Sequence, residues 1–151
     1  MFQVEPRVPV RMLLDVSRSM ATGASSKFDY ARRLAAALCY IGLIRLDAIT
    51  VQPFSDRLGD PFLCSGGRQR LAETVNRLTA LTPGGRTSYQ KVVREFSSAG
   101  LPRGLLIVIS DFLDEDDCIR PLQYLADSGH ELLLIHLWAE EDRTPPWDGE
   151  L

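Results

Sequence analysis

Four runs of apolar and β-branched residues constrain this chain more than any other feature: VRMLLDVS (Val10 to Ser17), DAITVQPFS (Asp47 to Ser55), GLLIVISD (Gly104 to Asp111) and ELLLIHLW (Glu131 to Trp138). None alternates apolar with polar residues, as a strand with one wet face does. Near-continuous apolarity is the pattern of parallel strands covered on both faces by helices.

The segments between these runs repeat at helical spacing. Phe28, Ala31, Ala35, Leu38 and Gly42 line one face of the first, and Ser26 with Asp29 resembles a capping box at its start. Leu71, Val75 and Leu78 mark a second helix, and Tyr89, Val92, Val93 and Phe96 a third. Ile119, Leu122, Leu125 and Ala126 mark a fourth, which stops near Gly129. Between Arg57 and Gly67, turn residues bound a short strand, Pro61 to Cys64, best placed antiparallel at a sheet edge. The expected fold is therefore α/β: a doubly wound, mostly parallel, Rossmann-like sheet flanked by helices. Such sheets use right-handed crossovers and bind ligands at the carboxyl ends of their strands.

With 151 residues, 45% of them hydrophobic and 25% charged, the chain suits one domain spanning 1–151. A net charge of -3 argues against general affinity for nucleic acid or anionic membrane. Cys39, Cys64 and Cys118 are odd in number and form no CxxC pair, so reduced thiols in a cytoplasmic setting are expected rather than zinc. No apolar run approaches the roughly 20 residues that cross a bilayer, and no signal-peptide pattern opens the chain. The tail DRTPPWDGEL, with Pro145, Pro146 and Gly149 and the apolar end Leu151, reads as non-helical and as the cut end of a longer protein.

The chemistry sits where the first strand ends. Asp15, Ser17 and Ser19 place one carboxylate and two hydroxyls at alternate positions, so their oxygens can converge on a point. Hard cations such as Mg²⁺ take oxygen ligands in octahedral geometry and usually retain water. DxSxS alone is a weak signal, because Asp and Ser are common in turns. Two further segments strengthen it: Pro83-Gly84-Gly85-Arg86-Thr87 brings a hydroxyl to the start of a helix, and Ile109-Ser110-Asp111 ends a buried strand in a carboxylate.

Together these residues resemble the metal-ion-dependent adhesion site of von Willebrand factor A (vWA) domains, and all five positions match: Asp15, Ser17, Ser19, Thr87 and Asp111. LLLDVSRSM, KFDYARRLAAALCYIGL, D-x-I-x-V-x-x-F-S, GGRTSY, VISDFLD and SGHELLLIHL resemble, over almost the whole chain, a bacterial vWA-like family of unknown function found beside MoxR-type AAA+ ATPases. The resemblance implies a Mg²⁺ ion, or Mn²⁺ or Ca²⁺ in its place. Ser17, Ser19 and Thr87 would ligate it through their hydroxyls, and Asp15 and Asp111 directly or through water. Neutral ligands would leave the metal electrophilic and in need of an external anion, typically a partner's carboxylate. The implied partner is a protein, a MoxR-type ATPase or its client, and the implied role is binding without catalysis. Family members carry a preceding segment, often with membrane helices, so a membrane-anchored parent protein is expected. Asp15→Ala is expected to abolish metal-dependent binding and spare the fold, on the reading that Asp15 lies on a rim loop.

The competing reading is a Mg²⁺-dependent phosphatase of the haloacid-dehalogenase type, which needs a second Asp two residues after the first. Ser17 stands there and cannot act as that general acid/base. A phosphate-binding GxxxxGK[ST] loop and a GxSxG elbow are both absent, and no acidic pair or placed Lys supports a phosphorylated receiver. Asp114 to Asp117 read as the solvated acidic start of a helix. His130 and His136 read as structural. Arg18 and Arg86 are read either as partner contacts or as solvated side chains, and Met20 and Phe112 either as a binding rim or as packing beneath the loops.

Overall fold

The computed structural model describes residues 8–23 and 26–143. Strands β1 (Val10–Asp15), β2 (Ile49–Phe54), β3 (Phe62–Cys64), β4 (Leu105–Ser110) and β5 (Glu131–His136) form one sheet in the order β3-β2-β1-β4-β5. All neighbours pair in parallel except β2 with β3, which is antiparallel at the edge. Among the described residues the α-helices are α1 (Lys27–Ile44), α2 (Leu71–Thr79), α3 (Tyr89–Ser98), α4 (Ile119–Asp127) and the short α5 (Glu140–Arg143), with 3-10 turns at Arg18–Ala21 and Arg68–Arg70. The expected doubly wound α/β sheet, with its antiparallel edge strand, is the architecture observed.

Strand alternation splits the core in two. Met12 and Leu14 of β1, with Ile107 and Ile109 of β4, pack beneath Phe28, Ala31, Ala35 and Cys39 of α1. Leu13, Leu106 and Val108 face the other way, against Tyr89, Val92 and Phe96 of α3 and Leu122 and Leu125 of α4. Successive side chains of a strand point to opposite faces, so this two-sided burial makes β1 and β4 apolar along their length.

The chain departs from the sequence expectation in three places. β5 lies at an edge, with Leu133 48% and Leu134 46% exposed, so its apolar run is not covered on both faces. Among the described residues its one strand neighbour is β4. The buried face of α2 runs through Thr74 and Leu78 and leaves Val75 exposed, and in α4 Ile119 is exposed. Finally, α5 takes in Asp142 and Arg143, the first residues of the tail read as non-helical. The rest of that tail, including Pro145, Pro146, Gly149 and Leu151, lies outside the described residues. No helix among the described residues is long and apolar enough to cross a membrane.

Capping fixes where the helices begin. The Ser26 hydroxyl accepts from the Asp29 N–H at 3.1 Å, and the Ser88 hydroxyl from the Lys91 N–H at 3.3 Å. Each satisfies one of the donors a helix start leaves unpaired. Because β1 is central and the chain crosses to β2 on one side and β4 on the other, the strand order reverses beside β1. Crevices in open α/β sheets form at that reversal, outside the carboxyl ends of the strands.

Candidate functional site

Asp15 is the last residue of β1 and is fully buried, not a member of a rim loop. The β1–β4 register sets Leu14 beside Ile109, so Asp15 falls level with Ser110 at the end of β4. Ser110 Oγ donates to Asp15 Oδ2 at 2.6 Å, and the Ser17 N–H donates to Oδ1 at 2.8 Å. Burial raises the Asp15 pKa above the ordinary carboxyl value. Hydrogen bonds from Ser110 and Ser17 oppose the rise, and the Asp111 carboxylate adds to it.

Asp111 follows β4 directly and is 1% exposed. Its Oδ1 accepts the Leu113 N–H at 3.0 Å, while Oδ2 accepts from Ser19 Oγ at 2.6 Å and from the Lys27 ammonium at 3.0 Å. Phe112, between them, adopts a φ of 54°, the left-handed region rarely used by a residue with a side chain. That backbone turn brings the Leu113 N–H back onto Asp111. The Phe112 ring stacks on Tyr89 with centroids 5.7 Å apart and meets His136 edge-on at 5.5 Å.

The third segment is pinned to the first by backbone. Arg18 N–H donates to Gly85 C=O at 2.8 Å and Gly84 N–H to Val16 C=O at 2.7 Å. Gly85 has a φ of +80°, which a glycine adopts without the steric cost a side chain imposes. Thr87 therefore stands over the Asp15–Ser19 turn. Its hydroxyl is buried without a hydrogen-bond partner among the described residues. The Tyr89 hydroxyl, buried near Ser110, Asp15 and Asp111, is likewise unsatisfied. Burial raises its pKa and the neighbouring carboxylates reinforce the effect.

Valence orders the hydroxyl protons. Ser19 gives its single proton to Asp111, so in the 3.2 Å Ser17–Ser19 contact Ser17 is the donor. The protons run toward the carboxylates, which leaves oxygen lone pairs for the cleft. That cleft, about 380 Å³, is lined by Ser17, Ser19 and Thr87, while Asp15 and Asp111 lie beneath its floor. All five sequence-predicted residues thus come to one place. Among the described residues no three His, Cys, Asp or Glu side chains cluster as a metal site; here the donor set is two carboxylates and three hydroxyls.

The residues beside the site also find their places. Met20 is fully buried in the core and forms no apolar rim, while the half-buried Phe112 packs on Tyr89. Arg86 pairs with Glu115 at 3.0 Å, both side chains more than 80% exposed. The acidic run precedes α4 and does not form its first turn: Asp117 Oδ1 accepts the Ile119 N–H at 2.8 Å, and Asp114 reaches across to the Tyr89 N–H at 2.9 Å. His130 Nδ1 accepts the Gly104 N–H at 3.3 Å and its ring packs on Phe96. The three cysteines are free thiols.

Lys27 and Tyr89 were not read from sequence as site residues. Lys27 did carry a signal: it stands four residues before Ala31 and eight before Ala35, on the buried stripe of α1. A lysine on an apolar stripe needs a buried anion.

The sequence matches, over residues 2–151, the family model described as "Protein of unknown function DUF58". No curated protein matches it. Among solved structures, BatB from Bacteroides thetaiotaomicron superposes with a TM-score of 0.60 at 20% identity, over 86% of this chain and 66% of that one. The manganese-loaded TRAP protein of Plasmodium vivax gives 0.60 at 16% identity, over 90% and 60%. A von Willebrand factor type A protein from Catenulispora acidiphila gives 0.56 at 14% identity, over 84% and 32%. The chain therefore spans less than two thirds of the length of these structures, and what it shares with them is the vWA fold.

Proposed function

Because the chain belongs to the DUF58 family, and two of its segments bring three hydroxyls over two buried carboxylates, we propose that it is a metal-dependent protein-interaction module. Asp15, Ser17, Ser19, Thr87 and Asp111 hold one divalent cation, Mg²⁺ first and Mn²⁺ or Ca²⁺ as alternatives. The observation that carries this reading is the Thr87 hydroxyl, buried without a partner among the described residues, on a residue that lines the same cleft as Ser17 and Ser19. An unsatisfied buried hydroxyl costs about 1–3 kcal/mol, a cost that ligation removes. A structural neighbour described as manganese-loaded is in keeping with it.

When bound, the cation supplies an electrophilic position for an oxygen anion. The chain's own residues do the rest. Asp111 draws the protons of the Ser17–Ser19 pair inward and turns lone pairs outward, while Asp15 fixes the turn by accepting the Ser17 N–H. The cleft mouth sets Arg18, Arg86 and Lys91 against Asp56, Asp114, Glu115 and Asp116, with Arg86 paired to Glu115, so the bound cation and not the rim charge selects an acidic group. The partner's carboxylate completes the site, so the module works by capture and not by catalysis. The partner we favour is a MoxR-type AAA+ ATPase or its client, met in the cytoplasm by a domain whose parent chain is membrane-anchored.

The test joins calorimetry with Mg²⁺ to capture of a MoxR-type ATPase with and without chelator. Saturable Mg²⁺ binding and chelator-sensitive capture are expected. Capture indifferent to chelator overturns the reading, as does Mg²⁺-dependent turnover of an aryl phosphate.

A further inference from the structure

Lys27 opens α1, yet its side chain is only 3% exposed and ends between two carboxylates. Its ammonium donates to Asp111 Oδ2 at 3.0 Å and to Asp142 Oδ2 at 2.8 Å. A buried ammonium persists only where anions replace its hydration. Burial works against the charge here, but the bonds to Asp142 and Asp111 outweigh it and hold the pKa above the ordinary lysine value. The Asp111 oxygen that Lys27 touches is the one that takes the Ser19 proton, so the ammonium and the hydroxyl pair meet on one atom. Asp142 belongs to α5, on the far side of β5 in the chain, and its Oδ2 also accepts the Ala139 N–H at 2.9 Å.

We infer that Lys27 is the resident cation of this site: it balances Asp111 in the metal-free protein, opposes entry of a divalent ion, and through Asp142 ties metal affinity to α5. The inference rests on the metal reading proposed above. Asp111 is 1% exposed and needs a positive neighbour. With a divalent ion on the hydroxyls, two cations share that carboxylate and repel across a poorly solvated gap. Asp142 moderates the repulsion by giving the ammonium a second anion. The ammonium and its second anion thus act in opposite directions. Removing Lys27 favours the metal, and removing Asp142 disfavours it. Coupling of this kind is reciprocal, so a partner that draws α5 away loosens the metal, and metal binding alters the hold on α5.

The experiment uses Lys27→Met, Asp142→Asn and the double variant of the full chain, titrated with Mn²⁺ while free ion is followed by electron paramagnetic resonance. Lys27→Met is expected to bind Mn²⁺ about tenfold more tightly and Asp142→Asn about fivefold more weakly, within the usual range of site coupling. In the double variant the Asp142→Asn effect vanishes, because Asp142 acts through the ammonium. Melts in chelator read the metal-free half: Lys27→Met falls by roughly 5–10 °C, and adding Asp111→Asn recovers part of the loss. Should Lys27→Met fail to fold, Asp142→Asn alone still carries the sign, since its partly exposed side chain tolerates exchange. Unchanged or weaker binding in Lys27→Met, tighter binding in Asp142→Asn, or no recovery with Asp111→Asn overturns the inference. Absence of saturable Mn²⁺ binding in the parent chain overturns the metal reading and the metal coupling with it, while the chelator melts still decide whether Lys27 is the counter-charge of Asp111.

Discussion

The carboxyl ends of β1 and β4 and the outer strand β5 invert the usual rule of burial. At the first, Asp15, Ser17, Ser110, Asp111 and Lys27 are all buried, each 3% exposed or less. At the second, Leu133 and Leu134 of an almost wholly apolar strand are nearly half exposed. Exposed single apolar residues are ordinary, whereas buried polar groups require partners and therefore a reason. The comparison teaches that apolarity told where strands run, while buried polarity tells where the molecule has work to do. Each variant below presses on one side of that contrast.

Asp15→Asn presses hardest on the polar side. A carboxyl whose folded pKa is raised contributes stability that is present at low pH and lost as pH rises through the folded value. At neutral pH the Asp15 charge therefore costs stability in the metal-free protein. Asparagine keeps the shape and removes the charge: its Oδ1 still accepts the Ser17 N–H, while its Nδ2 faces Ser110 Oγ, which must then accept instead of donate. We expect Mg²⁺ affinity to fall by about a hundredfold, the upper range for groups that orient metal ligands. The melting temperature in chelator is expected to rise. A variant that binds Mg²⁺ normally, or that melts lower without metal, breaks the claim that this burial serves a ligand. Asp15→Ala is the poorer probe, because at a fully buried strand end it leaves a void and strands the Ser110 hydroxyl and the Ser17 N–H.

Much of this contrast was legible before the fold was known. Four apolar runs with helical segments between them specify a doubly wound sheet, and the rule that ligands bind at the carboxyl ends of its strands selects Asp15 and Asp111, while Thr87, at the start of a helix, joins them through the resemblance to the vWA metal site. What stayed hidden depends on tertiary position. β5 reads like β1 because both are apolar, and only sheet order makes one central and the other an edge. Asp142 carries no local signal at all, since its role exists only where α5 folds back over Lys27. Asp114 looked like part of a solvated helix start, and its bond to the Tyr89 N–H joins elements 25 residues apart.

Thr87→Val has a smaller effect that separates ligand from structure. The hydroxyl has no partner among the described residues, so an isosteric methyl removes an unsatisfied group and leaves metal-free stability equal or higher. Loss of one neutral ligand is expected to weaken Mg²⁺ by about tenfold. Calorimetry and a chelator melt on the same sample decide it. A drop in stability without a drop in affinity would assign Thr87 to the scaffold.

Leu134→Lys presses on the apolar side and has the smallest expected effect. Leu134 sits beside Val108 of β4, but 46% of it already meets water, and lysine can lay its stem along the same surface with the ammonium in solvent. The cost is about 1 kcal/mol or less, roughly 2–4 °C in melting temperature for a chain of this size. Mg²⁺ affinity should not move, because β5 gives the five-residue site no side chain. Charge on an exposed edge strand also discourages strand-to-strand association, so light scattering at high concentration should show less self-association than in the parent. A fall of 10 °C or more, with loss of Mg²⁺ binding, would mean that β5 is held as tightly as the central strands. The exposed edge and the buried site would then belong to one cooperative unit and could not be altered separately.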